Sequence, residues 1–371
     1  MRAALVVEQA WHRVPGGVAR SILETLRALR ERTDVDVVPV AAWHRTPPDE
    51  PWTIPPPVRH LPLPRVALYE AWQRIRRPAV QRVTGPVDLV HATTMAVPPS
   101  GGAALVVTVH DLAFRSNPGH FTRRGLRFFE RGLALVRAEA DLVLCPSRAT
   151  AHSCVAAGIP QQRVRIVAQG VRVPAVDADQ VRRLREAHGL RRDYVMWCGT
   201  LEPRKNVPAL LAAFRQLVED GLDLDLVLVG PAGWGSVDTA VAGPAAERVR
   251  RLGFLSSADL HAAYGGARVF CYPSLTEGFG LPVLEAMAHA VPVVTSRGTA
   301  AEEAAGGAAL LVEPTDVQGL ASALAAAAGD RHDELAAAGA ARAAQASWTA
   351  TAAATVEAYR EAVRRRQARG R

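Results

Sequence analysis

Cys271-Tyr272-Pro273-Ser274-Leu275-Thr276-Glu277-Gly278-Phe279-Gly280-Leu281-Pro282-Val283-Leu284-Glu285-Ala286-Met287-Ala288 carries a change of periodicity that sets the fold. The apolar run ending at Cys271 reads as a buried strand, and Pro273 breaks it into a loop. Pro282 suits the first turn of a helix running through Ala288. A loop joining a strand's carboxyl end to a helix is where open α/β sheets place their ligands. Gly278 and Gly280 would let the backbone approach a ligand closely, and a helix N-terminus suits oxygen-rich or anionic groups. Glu277 and Glu285 bracket the loop, and a carboxylate can accept two hydroxyl donors at once, as a sugar or ribose diol offers. The structural alternative for Glu285 is a glutamate in the first helical turn that complements the helix dipole.

Working outward, the same strand–loop–helix grammar recurs. Short apolar runs at Ala3–Val7, Val35–Val40, Val87–His91, Ala104–His110, Asp141–Cys145 and Val164–Val167 precede residue 172. A second set follows at Tyr194–Cys198, Asp225–Gly230, Val249–Phe254, Val269–Cys271, Pro292–Thr295 and Ala309–Val312. Helical patterns separate them, which predicts two doubly wound parallel α/β domains. The expected division is residues 1–172, a linker over 173–190 containing Pro174 and a polar helix, a second domain over 191–346, and a terminal helix opened by Ser347-Trp348 within 347–371. Residues 41–65, rich in Pro, Trp and Arg, read as a long surface loop near an acceptor. Trp43, Trp52 and Trp72 are grouped with it as aromatic faces that can stack on sugars, mark core edges or form a membrane-surface rim.

The 371 residues suffice for two cores. No apolar run reaches the roughly 18–20 residues of a membrane span, and the start lacks a signal-peptide layout. Cys145, Cys154, Cys198 and Cys271 have no C-x-x-C spacing and read as small buried residues of a reducing, cytoplasmic protein. Residues 1–180 hold 23 Lys+Arg against 15 Asp+Glu, leaving 21 against 21 in the remainder, and a tail (Arg364, Arg365, Arg366, Arg369, Arg371) adds local positive charge. A basic first half suits an anionic acceptor or an anionic membrane surface; compositional bias toward Ala and Arg is the plain alternative. Nothing points to nucleic acid.

Lys205 is the only lysine among 44 basic residues. A compact ammonium is therefore needed at that position. It lies in Gly199-Thr200-Leu201-Glu202-Pro203-Arg204-Lys205-Asn206, again after a strand and before a helix. Adjacent Arg and Lys side chains there can clamp a diphosphate. Gly16-Gly17, opening a helix after the first strand, is a phosphate- or acceptor-type turn but not the G-x-G-x-x-G of nicotinamide sites. His110-Asp111 sits at a strand's carboxyl end, the functional end.

Glu277-(seven residues)-Glu285 enclosing Gly-Phe-Gly-Leu-Pro resembles the signature of the retaining, nucleotide-sugar-dependent glycosyltransferases of family 4. The Gly-Gly turn, His110-Asp111, Pro146-Ser147-(two residues)-Thr150, Gly199–Asn206 and Ser347-Trp348 extend the likeness over most of the chain. The resemblance implies a GT-B fold: two Rossmann-like domains facing across a cleft, with a terminal helix crossing back to the first. It implies that Glu285 binds the ribose, and that Arg204, Lys205 and Gly17 bind the donor diphosphate. Glu277, Gly278, Phe279 and Gly280 would hold the donor sugar with His110, and His110, Glu277, Arg204 and Lys205 would serve catalysis. The activity implied is retaining transfer of a hexose from a nucleotide diphosphate sugar to a hydroxyl of a glycan, lipid-linked or small-molecule acceptor. The run His110-Asp111-Leu112-Ala113-Phe114 looks most like GDP-mannose-dependent polysaccharide mannosyltransferases. UDP-glucose or UDP-N-acetylglucosamine as donor, and a non-catalytic nucleotide-sugar-binding subunit, stay open.

No cofactor or metal is expected. Asp34/Asp36, Asp177/Asp179 and Asp223/Asp225 form Asp-x-Asp pairs, but each precedes a strand or lies in the linker and reads as a solvated turn. A glycosidase using Glu277 and Glu285 as an acid/base pair would leave Arg204 and Lys205 unexplained. An epimerase would turn over donor without acceptor.

Overall fold

The computed structural model describes residues 1–231, 233 and 242–369, so Arg371 of the basic tail lies outside the described residues. The chain forms two compact units, Met1–Gly170 with Trp348–Arg371, and Val171–Ser347. In the first, strands β1 (Arg2–Val6), β2 (Asp36–Ala41), β3 (Arg59–His60), β4 (Leu89–Ala92), β5 (Ala104–Thr108), β6 (Leu142–Cys145) and β7 (Val164–Ile166) form one sheet in the order β3-β2-β1-β4-β5-β6-β7. In the second, β8 (Asp193–Cys198), β9 (Leu224–Val229), β10 (Val249–Gly253), β11 (Val269–Tyr272), β12 (Val293–Ser296) and β13 (Leu310–Val312) pair in the order β10-β9-β8-β11-β12-β13. Every pairing is parallel. Helices cover both faces of such sheets, which is why the strands read as continuous apolar runs rather than alternating ones.

Strand order reverses between β1 and β4 in one sheet and between β8 and β11 in the other. Ligand crevices form at such reversals, because the connections on either side leave toward opposite faces. The loops after β8 and β11 are those holding Arg204-Lys205 and Glu277–Gly280.

The terminal helix, Trp348–Arg369, belongs to the first unit. Tyr359 Oη and His91 Nδ1 are 2.7 Å apart, the Glu361 carboxylate accepts both Arg165 Nε (2.9 Å) and Nη2 (2.5 Å), and Arg369 reaches Asp141 at 3.1 Å.

Three expectations need correction. The stretch 173–190 is no free linker: Asp177 and Gln180 form a reciprocal capping box at the start of helix Ala178–His188. That helix buries Leu184 and packs Val181 toward Gly265 and Gly266 of the second unit. The loop 41–65 contains β3, paired in parallel with β2 through Val40↔Arg59 and Ala41↔His60. Two exposed residues without apolar periodicity leave no strand signal. Trp72, grouped with the loop tryptophans Trp43 and Trp52, is fully buried in helix Arg65–Arg74, its indole donating to Pro78 O at 2.9 Å.

None of the four cysteines forms a disulfide. Among the described residues no helix is long and apolar enough to cross a membrane.

Candidate active site

The loop after β8 turns through a short 3-10 helix, Pro203–Lys205, and Asn206 adopts a left-handed conformation (φ 56°) before helix Val207–Glu219. The Asn206 amide fixes that turn by donating to Pro273 O (3.1 Å) and Pro314 O (2.6 Å). Leu275 N donates to Arg204 O at 2.8 Å, tying the loops after β8 and β11 together. Glycines admit the close approach. A Cβ on Gly230 (φ 130°) would lie 1.9 Å from Gly199 O, so the ends of β8 and β9 meet backbone to backbone.

On this scaffold Arg204, Lys205 and Glu277 come into direct contact. Lys205 Nζ lies 2.7 Å from Glu277 Oε1 and donates to Tyr272 Oη at 2.5 Å. Arg204 Nη1 lies 3.0 Å from Glu277 Oε2, and its Nη2 2.7 Å from Glu202 Oε1. Two cations thus face two carboxylates, with Lys205 and Glu202 buried. Burial alone would raise the Glu277 carboxyl, but Lys205 and then Arg204 overwhelm it and hold the group near 2. Glu277 is therefore ionised and occupies both basic side chains. An anionic ligand arriving at these cations competes with it.

The Gly278–Gly280 segment leads into helix Leu281–Ala288. Gly280 has φ 112°, and a Cβ there would lie 3.0 Å from Ala301 Cα, so conformation and packing both require glycine. Phe279 and Gly280 are buried and Gly278 is half-buried, so Gly278 is the part of this segment nearest to solvent. Glu285 lies in the helix's second turn, not its first, with no acidic residue in the first turn. Dipole complementation, which falls off within a turn, does not account for it. Its carboxylate is buried and accepts Tyr264 Oη–H at 3.2 Å. Behind it the Tyr264 ring stacks on His289 (5.9 Å between centroids, 12°), and His289 Nε2 lies 3.0 Å from His261 Nδ1.

His110 and Gly17 belong to the first unit. His110 follows β5 by two residues, and its Nε2 donates to Thr93 O at 3.0 Å. That bond puts the proton on Nε2 and leaves an Nδ1 lone pair, which has no partner among the described residues. Burial pulls the imidazole below its ordinary value, so it is neutral near pH 7. Asp111 accepts Ala113 N at 3.0 Å and shapes the turn. Thr150 Oγ1 donates to His110 O at 3.2 Å, and Ser147 caps the helix that carries Thr150. Gly17 stands exposed in the first turn of helix Gly16–Arg30.

Residues 192–330 match the family model for glycosyl transferases group 1, and residues 15–174 that for glycosyltransferase family 4. The O-antigen chain mannosyltransferase B of Escherichia coli is 33% identical over 268 residues, covering 69% of this chain and 70% of that protein. The chain belongs to glycosyltransferase family 4. The MMP alpha-(1->4)-mannosyltransferase of Mycolicibacterium hassiacum is 28% identical over 269 residues, 65% of this glycosyltransferase and 61% of the relative. The serotype-specific mannosyltransferase WbdA of E. coli is much longer, the match covering 23% of it. Anabaena HepE in complex with UDP and glucose superposes with TM-score 0.72 at 20% identity over 96% of this chain and 98% of that one. WaaG gives 0.67 at 15% over 96% and 99%. The fold of this glycosyltransferase is GT-B.

Sequence reasoning missed Glu202, Tyr272 and Tyr264 of the glycosyltransferase. Glu202 and Tyr272 lie inside the quoted motifs, but neither spacing nor composition says that they face Lys205 and Arg204. Tyr264 sits 21 residues before Glu285, and no local pattern joins them.

Proposed function

We propose that this glycosyltransferase moves mannose, with retention, from GDP-mannose to a hydroxyl of a glycan or lipid-linked acceptor in polysaccharide assembly, without a metal. The observation that carries the reading is the Arg204–Lys205 pair, the lysine buried and the arginine half-buried, held at a sheet reversal against an ionised Glu277. As the glycosidic bond breaks, negative charge grows on the departing diphosphate. Cations already fixed in place and largely screened from water stabilise that charge without reorganising. Relatives named for mannosyl transfer in E. coli, Mycolicibacterium and Corynebacterium, the last named as GDP-mannose-dependent, support the choice of sugar and base.

In this reading Glu285, oriented by Tyr264, accepts the ribose hydroxyls. Glu277 exchanges one cation contact for sugar hydroxyls when the diphosphate arrives, and the Gly278–Gly280 backbone lies along the sugar. The His110 Nδ1 lone pair accepts a sugar hydroxyl, and the Gly17 amide meets phosphate. The acceptor oxygen bonds to C1 on the face the diphosphate leaves. Its proton passes to the leaving phosphate oxygen, so no protein nucleophile or general base is needed. A glycosidase role for the Glu277/Glu285 pair is disfavoured, because a general acid needs a raised pKa and Glu277 is held near 2.

The test is calorimetry of GDP, UDP and ADP with and without EDTA, followed by transfer from the matching sugar nucleotide and assignment of the product anomer by NMR. GDP binding unaffected by EDTA and an α-linked mannoside are expected. Binding of UDP alone, or inversion, would overturn the assignment.

A further inference from the structure

The carboxyl ends of β1, β2 and β3 in the first unit carry a cluster that the reading above does not use. The Glu8 side chain, 1% exposed, accepts Ala42 N at 2.7 Å and faces His44 Nε2 at 2.8 Å. The Trp11 indole lies flat on His44 (4.5 Å, 6°) and edge-on to His60 (5.8 Å, 83°), and His44 and His60 are 6.4 Å apart. His60 Nδ1 donates to Ala42 O at 2.7 Å, and His12 Nε2 lies 3.5 Å from Tyr69 Oη. Arg65, half-buried, donates to Trp11 O at 3.1 Å. Among the described residues that is its only hydrogen bond, and no carboxylate forms an ion pair with it. Arg76 has Glu139 and Arg165 has Glu361, whereas Arg268 and Arg342, half-buried like Arg65, donate to one backbone carbonyl each. What sets Arg65 apart is that His12 and His44 both stand within reach of its charge.

The second nitrogen of each of the three rings likewise has no partner among the described residues. The cluster is thus a guanidinium and three imidazoles with one carboxylate, and that carboxylate is already occupied. Burial, then Arg65 and His44, bring His12 down to about 4; burial, then His60 and Arg65, do the same for His44. Burial lifts Glu8 to about 7 against the pull of Ala42 N–H and Arg65. These two imidazoles are neutral near pH 7, and the Glu8 carboxyl is spent on Ala42 N–H and His44. Arg65 therefore carries the fixed positive charge of the cluster, and no carboxylate bonds to it directly among the described residues, which a neutral hydroxyl-rich ligand would leave unmatched.

We propose that Arg65, His12, His44 and His60 form an anion site that takes the phosphate group of a phosphorylated acceptor. Arg65 supplies the paired N–H donors that match phosphate oxygens, and the imidazoles take up protons as the anion arrives. The groups facing these rings are Glu8, Arg65, Tyr69 and the rings themselves. That the bound phosphate belongs to an acceptor rests on the transferase reading; affinity for a phosphate-like dianion does not.

The test follows the histidine Cε1–H resonances of the full chain at pH 6.5, assigned with His12→Gln, His44→Gln and His60→Gln. Sulfate is the probe, since its charge does not change across this range, and methyl phosphate is used in parallel. A saturable shift of the His12 and His44 resonances toward the protonated position is expected. Arg65→Gln should weaken it about 10- to 100-fold, the range for a charged hydrogen bond. His12→Gln, which leaves Arg65 in place, should weaken it several-fold and keeps the test decisive if Arg65→Gln does not fold.

Flotation with phosphatidylglycerol against phosphatidylcholine vesicles separates the sources. Binding to the anionic vesicles that is lost in Arg65→Gln places the phosphate on a lipid. A sulfate response without vesicle binding places it on a soluble or glycan-borne group. No saturable response in the folded protein, an equal response in folded Arg65→Gln, or movement of these rings by mannose but not sulfate would overturn the site. Failure of GDP to bind would strike the donor assignment and leave this result standing.

Discussion

Lys205→Ala removes the one ammonium in a chain that otherwise uses arginine. In the structure that ammonium touches Glu277 Oε1 at 2.7 Å and Tyr272 Oη at 2.5 Å, and its side chain is 7% exposed. Arg204 stays on Glu277 at 3.0 Å, so the carboxylate is not left as a buried unpaired charge, which would cost about 3–5 kcal/mol. The expected stability loss is the smaller cost of a charged hydrogen bond, about 1.5–3 kcal/mol. The effect on the transition state is larger. Loss of one preorganised electrostatic contact to a developing charge costs about 10²–10³ in kcat, or about 3–4 kcal/mol. Single-turnover transfer measured beside the thermal midpoint separates the two. Lys205→Arg should restore only part of the rate, because Lys205 Cε already lies 3.7 Å from the Cβ position of Gly199 and the planar guanidinium needs more room. Near-normal turnover by folded Lys205→Ala would remove the leaving-group role. Full activity of Lys205→Arg would refute the requirement for an ammonium.

Glu285→Ala should weaken nucleotide affinity by about 2–3 kcal/mol in calorimetry, and an unchanged dissociation constant would defeat the ribose assignment. Glu277, at 4.5 when unperturbed and about 2 in the folded chain, contributes stability that is fully present above pH 4.5. That contribution is lost as pH falls through about 2. Acid titration of wild type should therefore show a decline between these values that Glu277→Gln lacks. Gly230→Ala, with a Cβ 1.9 Å from Gly199 O at φ 130°, should destabilise by on the order of 3 kcal/mol in denaturant unfolding. An unchanged midpoint would mean that the β8–β9 ends are not closed as described.

Much of this protein was legible along the chain because parallel strands are short apolar runs and their ligand loops follow them directly. The runs around Ala104–Thr108, Tyr194–Cys198 and Val269–Tyr272 announced both sheets, and His110, Arg204, Lys205 and Glu277 stood at their carboxyl ends without any tertiary information. Glycine, proline and a solitary lysine are local signals, so they survive in one dimension. Tertiary structure alone decided strand order, and with it that the loops after β8 and β11 flank one reversal. It alone showed that Glu277 meets both cations, that Tyr264 orients Glu285, and that Arg65 stands among histidines from three strand ends with no carboxylate bonded to it among the described residues. Those are relations between residues up to 73 positions apart. Side-chain proximity across parallel strands depends on which crossover connects them, and no periodicity in the intervening sequence records that choice.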